Sequence, residues 1–204
     1  MPTQTYLFRD HPVYCQMDAD CAAWLQSIPV GEAVILCDYH IYKTYHRWFQ
    51  PHPVIKIPAG EAHKIQSTAD TIIAELMKYE AGRKTRLIAV GGGVLTDLGG
   101  YVASIYKRGM PLVLVPTSLL GMIDAGIGGK NGVNVGAAKN QVGTTWQPQE
   151  ILFDYRFLDS LPAAEWVNGM AEMIKHACIQ DALLFQELER YDLHTLSTDR
   201  LLMA

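Results

Sequence analysis

The sequence predicts an α/β protein: a mostly parallel sheet with helices on both faces. Three observations predict it. Short apolar runs alternate along the chain with stretches of helical periodicity. Each apolar run stops at an Asp, a Pro or a Gly, as strands do where they turn toward a helix. With 49% apolar and 19% charged residues among 204, the chain has the material for a sizeable core. Strands separated by helices pair in parallel, because each crossover returns the chain in the same direction.

Residues 33–37 (AVILC) read as a buried strand that stops at Asp38. Residues 54–57 are a second short strand, closed by Pro58. Residues 67–79 read as a helix with Ile72, Ile73, Leu76 and Met77 on one face, stopped by Gly82. The third strand, 87–90, runs into Gly91, Gly92 and Gly93. Residues 96–107 read as a helix despite two internal glycines, and Gly109 ends it. Residues 112–115, ended by Pro116, and 150–153 are the fourth and fifth strands. In such sheets ligands sit at the carboxyl ends of the strands. The residues of interest are therefore Asp38, 91–97 and 117–124.

After Ser160 the pattern becomes helical. Leu161-Pro162 opens a stretch from 163 to 190, with Pro in its first turn and a break near Asp181. We expect two domains: a sheet domain over 1–160, and the beginning of a helical domain over 161–204. Ser197, Thr198 and Asp199 read as a helix cap before Leu201, Leu202 and Met203, and the sequence stops about one turn later. An isolated turn does not sustain itself, so the helical domain is expected to be cut short.

Seventeen basic and 21 acidic side chains give a net charge of −4. That balance argues against a nucleic acid or an anionic membrane as partner, while a local lysine cluster can still bind a small anion. The longest uncharged stretch, between Arg108 and Asp124, is interrupted by Pro111 and Pro116 and is too short to span a bilayer. The first ten residues have no basic region followed by an apolar run. Cys15, Cys21, Cys37 and Cys178 form no C-x-x-C pair. Reduced thiols in a cytoplasmic protein are expected.

Four motifs carry chemistry. Gly91-Gly92-Gly93-Val94-Leu95-Thr96-Asp97 joins a strand to a helix, where backbone N–H groups and the positive dipole end meet phosphate. It is not G-x-G-x-x-G, and a plain tight turn is the alternative. Asp97 either steadies the dipole or bonds the hydroxyls of a ribose or sugar. Gly60-Glu61-Ala62-His63-Lys64 places Glu61 and Lys64 three residues apart, which taken alone reads as a surface ion pair. Thr117 and Ser118, then Asp124 through Lys130, then Lys139-Asn140 in a loop, combine hydroxyls, glycines and lysines suited to a phosphate-bearing substrate. Glu172, Lys175 and His176 share a helix face, as a solvated ion pair or as part of a metal site. The other histidines are scattered, so spacing alone assembles no complete metal site.

Taken together, GGGVLTDLGG, YKRG, VPTSLLGMIDAGIGGKNGVN, KNQVG, FLDSLPAAE and GMAEMIKHA resemble the 3-dehydroquinate synthase family, within the sugar phosphate cyclases. The resemblance covers about residues 30–190. It implies a Rossmann-like NAD-binding domain followed by a helical metal and substrate domain. It also implies a homodimer, a sugar phosphate substrate (3-deoxy-D-arabino-heptulosonate 7-phosphate), catalytic NAD, and Zn²⁺ or Co²⁺. Oxidation at C5 acidifies the neighbouring C–H, phosphate leaves, the hydride returns, and an intramolecular aldol step closes the carbocycle.

By the same resemblance, Asp38, Gly60, Glu61 and Lys64 contact NAD, and Gly91, Gly92, Gly93, Val94, Leu95 and Thr96 cradle its pyrophosphate. Asp97, Thr117, Ser118 and Asp124 line the junction of nicotinamide and substrate. Lys130, Lys139 and Asn140 hold substrate, the lysines also lying near the cofactor, and Phe157, Leu158, Asp159 and Ser160 add a further cofactor contact. Arg108 resembles a phosphate contact supplied across a dimer interface. Glu172 is the implied metal ligand, with Lys175 beside the reacting centre. The implied catalytic set is Asp97, Asp124, Lys130, Asn140, Lys175 and Arg108.

The chain departs from the family pattern at Ser118, where a second threonine is usual, at Ala125-Gly126 after the aspartate, where a serine is usual, and at Asn131, where threonine is common. The family's other two metal ligands are histidines from a later segment. The family pattern does not use His176. Three alternatives stay open: a non-catalytic NAD-binding module, a cyclase for another sugar phosphate, and a metal-dependent polyol dehydrogenase. A phosphate site argues against the last.

Overall fold

The computed structural model describes residues 3–8 and 11–190. Its strands are β1 (Thr3–Phe8), β2 (His11–Met17), β3 (Ala33–Asp38), β4 (Val54–Ile57), β5 (Arg86–Gly91), β6 (Leu112–Pro116), β7 (Lys130–Val135), β8 (Ala138–Thr145) and β9 (Glu150–Phe153). Its α-helices are α1 (Cys21–Gln26), α2 (Tyr39–Tyr45), α3 (Gln66–Lys78), α4 (Gly93–Ile105), α5 (Ala163–Gln180) and α6 (Ala182–Leu188). Seven strands form one sheet in the order β1-β2-β9-β6-β5-β3-β4, and β7 and β8 form a separate hairpin. Every neighbouring pair in the large sheet is parallel except β1–β2.

The five expected strands are all present; β3, β5, β6 and β9 are interior, and β4 is an edge strand. Their alternate residues serve two cores, as period-2 geometry requires. Val34 and Leu36, Leu87 and Ala89, and Leu112 and Leu114 face one side, packing on Ile72 and Leu76 of α3 and Leu98 and Val102 of α4. Ile35 and Cys37, Ile88 and Val90, and Val113 and Val115 face the other, packing on Leu25 of α1 and Ile41 of α2. Burial on both faces is why β3, β5 and β6 read as continuous apolar runs.

Several local expectations are corrected. α4 begins at Gly93, inside the glycine run, and ends at Ile105 rather than 107, because Lys107 and Arg108 turn left-handed with φ of 49° and 65°. Its internal glycines serve close packing. A Cβ on Gly99 would sit 2.7 Å from Ala89 Cβ, and one on Gly100 1.8 Å from Asn131 Oδ1. Lys139 and Asn140 lie in β8, not in a loop. Among the described residues the antiparallel edge strands β1 and β8 are almost wholly exposed, which removes the apolar signature from their sequences. The break at Asp181 is real: its carboxylate accepts from the Leu183 and Leu184 amides, both at 3.0 Å, and caps α6. The cap expected at Ser197, Thr198 and Asp199 lies outside the described residues. No described helix is long and apolar enough to cross a membrane.

Candidate functional site

A cavity of about 720 Å³ opens at the carboxyl ends of β3, β4, β5 and β6. Its walls hold Asp38, Gly60, Glu61, Lys64, Gly92, Gly93, Val94, Leu95, Asp97, Thr117, Ser118, Lys139, Asn140, Phe157 and Ser160 from the expected set. The opening turn of α4 forms one wall and has no side-chain cap; its Leu95 and Thr96 amides donate back to Gly92 O, and the positive end of the helix dipole faces the cavity. A Cβ on Gly92 would approach Ser118 Oγ to 3.3 Å and one on Gly93 would approach Ala125 Cβ to 3.1 Å. Glycine thus keeps a cradle open there that larger residues would narrow.

Lys64 organises the centre. It is 5% exposed and forms an ion pair with Asp97, and its Nζ donates to Asn140 Oδ1 at 2.7 Å. The expected Glu61–Lys64 surface pair is therefore corrected. Glu61 instead accepts from Asn134 Nδ2 at 2.8 Å, and Asn134 Oδ1 accepts from the Asn140 amide at 3.0 Å. The Asn134 amide donates to Lys64 O at 2.7 Å, and Ile65 and Asn134 form a parallel bridge. The hairpin β7–β8 is thereby stitched to the segment between β4 and α3. Asn140 reaches this network from a left-handed backbone, φ 55°. Burial raises the Asp97 carboxyl above its ordinary value. Lys64 opposes that shift, and the charges of Glu61 and Asp124 add to it.

The far walls are equally fixed. Asp38 caps α2, its Oδ1 accepting from the Ile41 amide at 2.8 Å. Tyr45 holds the opposite wall: its hydroxyl lies 2.9 Å from Ser160 Oγ and its ring packs edge-on against Phe157 at 4.7 Å.

Sequence reasoning missed His40, Pro58, Ala59, Glu165 and Asn168, which also line the cavity. Glu165 and Asn168 lie three apart on α5, with Asn168 Nδ2 3.5 Å from Glu165 Oε2. Their spacing before the Gly169 motif was the available signal.

Other expected residues lie elsewhere. Gly91, Thr96, Leu158 and Asp159 do not line the cavity, and Thr96 Oγ1 donates back to Gly93 O at 2.9 Å. Lys130 is exposed at the start of β7 and does not line the cavity. Glu172 and Lys175 form an ion pair on α5, and that hydrogen bond, then the Glu172 and Asp124 charges, raise Lys175. Asp124, in the wide turn Gly121–Ala125, lies beside them. Arg108 lines a separate cavity of about 320 Å³ with His11 and Arg83, at the amino ends of β2 and β6. A strand of five residues spans about 17 Å, so Arg108 and the main cavity lie at opposite ends of the sheet.

The family model described as 3-dehydroquinate synthase N-terminal matches residues 54–168. The 3-dehydroquinate synthase of Dehalococcoides mccartyi is 41% identical over 172 residues, covering 80% of this chain and 48% of that protein. The chain spans about half the length of that relative and 43% of the Neisseria meningitidis 3-dehydroquinate synthase, which is 44% identical over 155 residues. Among solved structures, 2-epi-5-epi-valiolone synthase from Streptomyces hygroscopicus, with NAD⁺ and Zn²⁺ bound, superposes with a TM-score of 0.80 at 32% identity. That match covers 93% of this chain and 55% of the other.

Proposed function

Because this chain belongs to the 3-dehydroquinate synthase family, we propose that it forms the NAD-binding domain, residues 1–160, and the first part of the metal and substrate domain, 161–204, of an enzyme of that activity. The substrate is 3-deoxy-D-arabino-heptulosonate 7-phosphate, and the products are 3-dehydroquinate and phosphate. The observation that carries this reading is the cavity at the carboxyl ends of the strands, walled by an uncapped glycine turn and centred on Lys64.

NAD fits these residues. The Gly92–Gly93 cradle and the α4 dipole end suit a pyrophosphate, and Asp38 at the end of β3 suits ribose hydroxyls. When bound, NAD supplies a hydride acceptor that later gives the hydride back. Glu172 would help hold a divalent ion, which would supply Lewis-acid polarisation of a substrate oxygen. The protein's own part is positioning and charge. Lys64 holds Asp97 and Asn140 in one fixed array, where they hydrogen-bond substrate hydroxyls. Thr117 and Ser118 place hydroxyls between cofactor and substrate. Lys130 and Lys139 supply positive charge toward the substrate from β7 and β8. Lys175, held by Glu172, stands beside the reacting centre. Arg108 is too far to serve its own cavity, which supports a homodimer in which it serves a partner's substrate phosphate.

The curated relatives named 3-dehydroquinate synthase, at 41% and 44% identity, favour this substrate over those of the other cyclases. The test is calorimetric titration of NAD into this chain, followed by phosphate release from the heptulosonate phosphate, with NAD and Zn²⁺, by an enzyme that carries this chain together with the rest of its metal and substrate domain. Phosphate release with no net NADH supports the cyclase. NAD binding without turnover would reduce the reading to a cofactor-binding module, and absence of NAD binding would overturn it.

A further inference from the structure

We propose that Arg156 is a positioning residue for the cofactor: without lining the cavity, it fixes the turn Tyr155–Ser160, which carries Phe157 and Ser160 into the wall. The proposal rests on the NAD reading above. It adds a residue that none of the motifs marks, and one that acts only through its neighbours.

Two carboxylates and an indole hold the Arg156 guanidinium. Its Nε donates to Asp154 Oδ1 at 2.8 Å and its Nη2 to Asp154 Oδ2, a bidentate pair. Nη2 also donates to Asp20 Oδ1 at 2.7 Å. The guanidinium lies over the Trp48 ring, 4.7 Å from its centroid. Asp154 is 1% exposed and also accepts from the Cys21 amide at 3.0 Å, while Asp20 accepts from the Ala23 amide in the first turn of α1. Arg156 thus ties the turn to the start of α1 on one side and to Trp48, three residues past α2, on the other.

From Trp48 the contacts run into the wall. Its ring meets those of Tyr45 and Phe157, with centroids 4.7 Å and 5.4 Å away. The Tyr45 hydroxyl lies 2.9 Å from Ser160 Oγ and 3.4 Å from Arg156 O. The turn is a 3₁₀ helix, in which residues i and i+3 eclipse. Phe157 and Ser160 therefore present one edge to the cavity, and Arg156 projects from another. Tyr45 is the last residue of α2, which Asp38 caps, so the wall it steadies faces the adenosine end of the nucleotide. An aromatic ring beside a hydroxyl suits a base there.

The test is calorimetric titration of NAD, and of ADP-ribose, which keeps the adenosine and lacks the nicotinamide. Both go into the original chain, Arg156→Lys and Trp48→Leu, with urea unfolding of each. Arg156→Lys keeps a charge beside buried Asp154 but loses the fork and the plane over Trp48. Trp48→Leu leaves both ion pairs in place and removes the ring through which Arg156 reaches Phe157. Each variant should bind both ligands about fivefold more weakly or worse. The double variant should lose less than the product of the two, because both act through one wall. In an enzyme that carries this chain with the rest of its metal and substrate domain, the loss should fall on KM for NAD and not on kcat at saturating NAD. A merely structural arginine would lower the urea midpoint and leave both affinities unchanged, which overturns the proposal while the cofactor reading stands. A loss for NAD but not for ADP-ribose overturns it as well, since the wall would then not serve the adenosine. No NAD binding by the original chain overturns the cofactor reading, and this proposal with it.

Discussion

Lys64 and Asp97 form a buried ion pair that joins two separate elements, the turn before α3 and the first turns of α4. Removing one partner of such a pair leaves an uncompensated charge, which typically costs about 3–5 kcal/mol. Lys64→Met should therefore lower stability by a few kcal/mol, and it should also release Asn140 from its 2.7 Å bond. Lys64→Met combined with Asp97→Leu should recover part of the stability but not NAD binding. Urea unfolding and NAD calorimetry on the two variants separate these effects. Equal recovery of both would mean that the pair is purely structural.

Asp97 gives a pH signature of defined sign. Burial raises its folded-state value above the unfolded one, so the native chain holds this proton more tightly. Its contribution to stability is full below the ordinary carboxylate value and is lost as pH rises through the raised value. Asp97→Asn does not titrate. Its stability relative to the unsubstituted chain should therefore rise with pH across that window. Unfolding of both proteins from mildly acidic to neutral pH tests this, and a difference that falls with pH would mean that Lys64 outweighs burial.

Asn134 is the stitch between Glu61 and Asn140: its Oδ1 accepts from the Asn140 backbone amide and its Nδ2 donates to the Glu61 carboxylate. It is 9% exposed, so its lost bonds leave buried groups unpaired. Asn134→Ala should cost about 2–4 kcal/mol for two bonds at typical values. Asn134→Asp keeps the acceptor for the Asn140 amide but sets a carboxylate against Glu61. It should lose more NAD affinity at neutral pH than at mildly acidic pH. Equal loss at both would place the effect outside the Glu61 contact.

The sheet was legible because strands buried on both faces write continuous apolar runs, as 33–37 and 87–90 do. The hairpin was not. β8 is exposed along its length, and Gly132 and Gly143 approach each other across the pair for steric reasons that resemble a loop's glycine content. At the site, Lys64 could be singled out by motif, but its partners could not. Asp97 lies 33 residues away and Asn140 lies 76, and no local pattern encodes such distances. Asp124 meets His176 for the same reason, through the close approach that Gly169 permits.

The four cysteines allow a test of the fold itself. Cys15, Cys21 and Cys37 are buried in the strands and first helix, while Cys178 is exposed on α5. Only a thiolate attacks a disulfide reagent, so burial suppresses reaction by blocking both access and ionisation. Burial pushes Cys37 up to about 12, with the Asp38 charge adding, and raises Cys15 and Cys21 as well. In the native chain one thiol should react rapidly, and Cys178→Ser should abolish that phase. The remaining three should react only as fast as the structure opens, and all four together in denaturant. Cys15 sits on β2, whose outer neighbour β1 is almost wholly exposed. A second rapid thiol traced to Cys15 would therefore mean that this edge opens independently, while one traced to Cys37 would contradict the burial of β3.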